Sequence, residues 1–167
     1  MIMDKAMTER SISTFNKRLN KLKIMNISIA DDITPECKIR GVYGFFAKNE
    51  TNNICFYIGK SNNIFIRMLG RNSHLNNYLR GVRNTNVHKY IEYYLNNGFN
   101  VEIRVLQKVE YVGDSFERDA NRLALAELEE LVKHQDMEEC PNQLSEAVKE
   151  KNEREEWESI FNTKLNR

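Results

Sequence analysis

Two tyrosines and four cations fall within one short stretch, Gly41 to Arg71, which reads GVYGFFAKNETNNICFYIGKSNNIFIRMLGR. Tyr43 ends the triplet GVY and Tyr57 begins the triplet YIG; Lys60, Arg67 and Arg71 follow. A phenol titrates near about pH 10, too high for a base at neutral pH unless nearby cations favour the phenolate. Phenols beside cations are therefore candidates for proton transfer and for binding an anion. Taken singly, each has a plain structural role, as a sheet aromatic or a snorkelling surface residue.

These side chains need a frame. Gly41 to Ala47 and Ile54 to Gly59 are rich in β-branched and aromatic residues, and the polar segment Lys48 to Asn53 joins them, which predicts a hairpin. Ser61 or Asn62 then caps a short helix with Ile64, Phe65, Met68 and Leu69 on one face and Arg67 at its edge.

In order and approximate spacing, GVY at 41–43, YIG at 57–59, the following Lys60-Ser61 and the helical Arg67 resemble the GIY-YIG nuclease family. The resemblance covers roughly residues 40–143. It implies a metal-dependent endonuclease that hydrolyses DNA phosphodiester bonds, of restriction, phage or repair type. The fold it implies is α/β (α+β), a small, mainly antiparallel three-stranded sheet flanked by helices. It places one catalytic glutamate on the long helix 116–135. Glu127 is the choice there, because it falls beside Ala120, Ala124 and Leu131 at the edge of the apolar stripe, with Glu130 as fallback. That carboxylate would hold one Mg²⁺, for which Mn²⁺ substitutes, with water and phosphate completing the shell. Tyr43 is assigned as general base with Tyr57 hydrogen-bonded beside it, the reverse remaining open. Lys60 and Arg67 favour the phenolate, and Arg67 stabilises transition-state charge. Pro141-Asn142 resembles the end of the family's helix-loop segment, which brings Asn142 near the site.

The other class of function on the same fold is a catalytically silent DNA-binding or protein-interaction module. Charge bears on both. The net charge is only +1, yet residues 37–110 hold eleven Lys and Arg against four Asp and Glu, and residues 111–167 hold eight against fifteen. A basic face is what a phosphate backbone requires. Apolar residues make up 41% of the chain and charged residues 29%, ordinary for a globular protein with one core. No apolar run approaches the length of a membrane span and no secretory signal opens the chain, so a cytoplasmic location is expected. Cys37, Cys55 and Cys140 are far apart and without CxxC spacing, which argues for free thiols and against a disulfide framework or a zinc site.

Elsewhere the pattern is mostly helical. Thr8 to Lys23 spaces Ile12, Phe15, Leu19 and Leu22 as an amphipathic helix that covers the sheet or, less favoured, reaches DNA as a basic arm. Asn72 to Thr85 is polar and basic; His74, Arg80 and Arg83 there, with Arg71 just before it and Asn142, are the substrate-binding candidates. His74 could also help to deprotonate a phenol. Val87 to Leu95 reads as a helix ended by Asn96-Asn97-Gly98, and Val101 to Val109 as a strand. Three regions result: an N-terminal helical extension (1–40), a nuclease-like core (41–143) and a charged C-terminal helix (144–167). Trp157, Ile160 and Phe161 on the last have helical spacing and suggest a homodimer contact.

Overall fold

Alternation of apolar side chains across two faces builds the centre of this computed structural model, which describes residues 2–148 and 150–165. Strands β2 (Gly41–Lys48) and β3 (Asn53–Ser61) form the hairpin, and the Asn49 side chain closes its turn by accepting from the amides of Thr51 and Asn52 at 3.0 and 2.7 Å. β4 (Asn100–Lys108) lies antiparallel along the other side of β2.

The three-strand expectation needs correcting. A fourth strand, β1 (Ile27–Ile29), pairs parallel with β4, so the sheet is mixed and runs β1-β4-β2-β3. Three residues carry no readable period, and their pairing is with a strand some seventy residues on; Asn26, at φ 61°, turns the chain into it.

A bulge in β3 sets which residues share a face. Phe45 pairs with Tyr57 and Phe46 with Cys55, leaving Phe56 unmatched. Tyr43, Phe45, Phe56 and Tyr57 consequently join one cluster, while Val42, Phe46, Cys55 and Ile58 join the other.

The first cluster is covered by α1 (Ile2–Ile24), α2 (Ile64–Leu69), α3 (His74–Leu79) and α4 (Asn86–Asn96). In α1, Leu22 is fully buried, Phe15 meets Phe65 edge-on at 4.9 Å, and Arg18 donates to the Leu69 carbonyl, so this helix is part of the core rather than a free arm. Helix α2 is capped by Asn63, whose side chain accepts from the Ile66 amide at 3.2 Å, instead of by Ser61 or Asn62. Ser61 ties the cap down by bonding both the amide and the carbonyl of Asn63.

The second cluster packs under α5 (Phe116–Gln135), capped by Ser115 and buried through Leu123, Ala126 and Leu131. α6 (Glu150–Leu165) follows, with Trp157, Ile160 and Phe161 exposed. Among the described residues no helix is long and apolar enough to cross a membrane.

Candidate active site

The two motif triplets meet in the sheet register, where Tyr43 pairs with Gly59. The Tyr43 ring lies over Gly59 so closely that a Cβ there would stand 2.6 Å from its hydroxyl. Glycine is thus required by the tyrosine across the strand. The hydroxyl reaches His74 Nε2, 3.2 Å away on α3.

Burial decides the chemistry of this pair. The Tyr43 phenol is 1% exposed and is pushed well above the usual phenol range, first by burial and then by Tyr57, with Arg67 pulling it down less strongly. The same burial, with the Arg67 and His88 charges, takes His74 down to about 4. At neutral pH the imidazole is therefore uncharged, and Nε2 can accept from the phenol. His88 braces it from behind, its Nε2–H donating to the His74 carbonyl at 2.7 Å while its buried Nδ1 has no partner. Tyr57 is half-buried, its ring 6.5 Å from Tyr43 and 5.7 Å from His74. Burial raises its phenol too, and Arg67 and Lys60 oppose that. The Tyr43 hydroxyl thus meets His74 and the Arg67 side chain, where the sequence suggested Tyr57.

Around the free edge of β3 stands an acidic group. Lys60 Nζ lies 2.6 Å from Glu127 Oε2 on α5 and 3.3 Å from Glu146 Oε2. Burial lowers the Lys60 ammonium, but the two carboxylates outweigh it and the net shift is upward. Glu127 is buried, Glu129 exposed, and Glu130 belongs to another group, 3.6 Å from Lys133 and 3.7 Å from His134. The two carboxylates are hard oxygen donors of the kind a divalent ion such as Mg²⁺ takes, and here both are paired with the Lys60 ammonium.

Beside it a cavity of about 680 Å³ is lined by Tyr57, Glu127, Asn142, Gln143 and Glu146. Asn142 is exposed, and its neighbour makes the structural contact: the Gln143 amide bonds both the N–H of Ile58, at 2.9 Å, and its carbonyl, at 2.5 Å. This satisfies backbone groups that an edge strand otherwise leaves open.

The cations divide by location. Exposed Arg67 and Arg71 line a groove of about 400 Å³ with Asn62, Asn63 and Ser73. Arg80 is exposed at the end of α3. Arg83 is exposed too, stacked 4.1 Å over Tyr78 and paired with Glu92 at 2.7 Å.

Sequence reasoning missed Glu146, Gln143 and His88. Glu146 is one of many acids in the tail, and nothing local marks it as reaching back 86 residues to Lys60. No protein-family model, no curated protein and no solved structure matches this chain.

Proposed function

We propose that this chain is a divalent-metal-dependent endonuclease of GIY-YIG type that hydrolyses phosphodiester bonds of DNA. What supports it is one convergence. Tyr43, Tyr57 and Lys60, Arg67, His74 and Glu127 come from β2, β3, α2, α3 and α5, yet act on one another around a single sheet edge.

Each residue then has a task. A water beside Tyr43 gives its proton to the phenol oxygen as the phenol passes its own to His74 Nε2. This relay needs no free phenolate, which the burial of Tyr43 disfavours. Arg67 and Arg71 hold non-bridging phosphate oxygens, and Arg67 meets the charge that grows on them. Glu127, with Glu146, would hold the Mg²⁺ or Mn²⁺, which when bound supplies positive charge at the departing 3′ oxygen. Lys60 keeps its ammonium charged at the same edge.

The test is digestion of supercoiled plasmid with Mg²⁺, Mn²⁺ or EDTA, beside Tyr43→Phe, Arg67→Ala and Glu127→Gln. Cleavage that needs the metal and falls about 10²- to 10³-fold in each variant is the expected result. The Lys60–Glu127 ion pair and the buried Tyr43 are also what a silent DNA-binding module would keep. Wild-type protein that binds plasmid, genomic and branched DNA but cuts none of them would establish that module instead.

A further inference from the structure

On the α5 side of the sheet, away from the phenols, three ligand-type side chains meet, with a fourth beside one of them. Cys55 Sγ on β3, a ring nitrogen of His134 near the end of α5 and a carboxylate oxygen of Glu139 lie within 4.8 Å of one another. Cys140 Sγ stands 3.9 Å from Cys55 Sγ. Exposure is 0% at Cys55, 3% at Cys140 and 7% at His134.

We propose that Cys55, His134, Glu139 and Cys140 form a structural zinc site. The donor set carries the argument, and the sulfur separation is compatible with it. A tetrahedral Zn²⁺ with Zn–S bonds of about 2.3 Å sets its two sulfurs about 3.8 Å apart, and these sulfurs are 3.9 Å apart. A disulfide would need about 2.05 Å. Two thiolates, one imidazole and one carboxylate are a donor set that a borderline-soft ion takes over Mg²⁺.

The surroundings agree. His134 Nδ1 and Glu139 Oε2 are hydrogen-bonded to each other at 2.6 Å, and an ion entering between them and the sulfurs would part them to about 3.3 Å. The other nitrogen, Nε2, faces Glu130 Oε2 at 3.7 Å, the outer carboxylate that commonly orients a metal-bound histidine. On binding, Zn²⁺ replaces the two thiol protons, which pass to solvent, and the proton between His134 Nδ1 and Glu139 Oε2, which passes to solvent or to Nε2; four Zn–ligand bonds form without a change of oxidation state.

The site would staple β3, the end of α5 and the loop that follows. That loop holds Gln143, which locks the edge of β3 at Ile58, and leads to Glu146 on Lys60. Zinc here positions the wall of the candidate active site without touching it.

The test uses the full chain, purified under reductant and stripped with a chelator, then titrated with Zn²⁺ by calorimetry and with Co²⁺ by absorption. One ion per chain, intense tetrahedral d–d bands and thiolate-to-cobalt charge transfer are expected, with a higher melting temperature once zinc is bound. Cys55→Ser, Cys140→Ser and His134→Gln should abolish stoichiometric binding, while Cys37→Ser and Glu127→Gln should keep it. Glu130→Gln should weaken it by about 10- to 100-fold. Circular dichroism shows whether each variant is folded, and the wild-type titration stands without them. Reduced wild-type protein that binds no Zn²⁺ or Co²⁺ would overturn the proposal. So would a cobalt spectrum without thiolate charge transfer, or binding that survives in Cys55→Ser/Cys140→Ser. Zinc binding is read apart from DNA cleavage, so either proposal can fail alone.

Discussion

Replacing Gly59 by alanine adds a single methyl group where the two motifs touch. That methyl would meet the Tyr43 hydroxyl at 2.6 Å, Cζ at 2.7 Å and Cε2 at 3.1 Å. Ordinary contact needs about 3.5 Å, so the ring end must move by about 0.9 Å. Phe45, Tyr57 and His74 rings already surround it, at centroid distances of 6.1, 6.5 and 6.3 Å, and leave little room. The movement also strains the 3.2 Å bond to His74. Overpacking of this kind costs about 1–3 kcal/mol and a lost hydrogen bond about 0.5–1.5 kcal/mol, together about 1.5–4.5 kcal/mol. Displacing a reacting group by about 1 Å also costs on the order of 10²-fold in rate. Urea unfolding reads the first effect and single-turnover plasmid cleavage the second. Gly98→Ala is the control: its Cβ meets open space, and its φ of +80° alone costs about 1 kcal/mol with no loss of cleavage. If Gly59→Ala unfolds within about 0.5 kcal/mol of wild type and cleaves normally, Tyr43 does not depend on Gly59 and the packing argument is wrong.

Three further outcomes are expected. His74 is held down to about 4 in the fold, below its usual value, so the unfolded chain takes up a proton first on acidification. The stability that His74 contributes is complete above about pH 6.5, falls between there and about pH 4, and amounts to at most about 3 kcal/mol. Urea midpoints across that window should fall less steeply in His74→Gln than in wild type; parallel slopes would refute it. Gln143→Ala should lose about 1–3 kcal/mol and speed hydrogen exchange at the Ile58 amide, because both Ile58 backbone groups lose their partner. Asn142→Ala, at an exposed position, should stay within about 0.5 kcal/mol by the same unfolding assay.

What the chain determined by itself was local. The strands β2, β3 and β4 carry runs of β-branched and aromatic residues, and α4 and α5 carry a helical apolar period with Thr85 and Ser115 as caps. Such signals act between neighbours a few residues apart, so they survive in one dimension. The grouping of Tyr43, Tyr57, Lys60 and Arg67 was legible for the same reason, since hairpin and helix lie consecutively. Short or distant pairings were not. β1 is three residues long and gains its partners only from β4. His74 becomes a partner of Tyr43 because α3 folds back over the sheet, and burial there, which no motif encodes, reverses the expectation that nearby cations govern the phenol. Lys60 meets Glu127 across 67 positions. Cys55 and Cys140, 85 positions apart and without metal-ligand spacing, come within 3.9 Å only because a loop after α5 returns to the edge of β3. Contacts of that separation are paid for by burial of the whole core, so only the folded chain decides them.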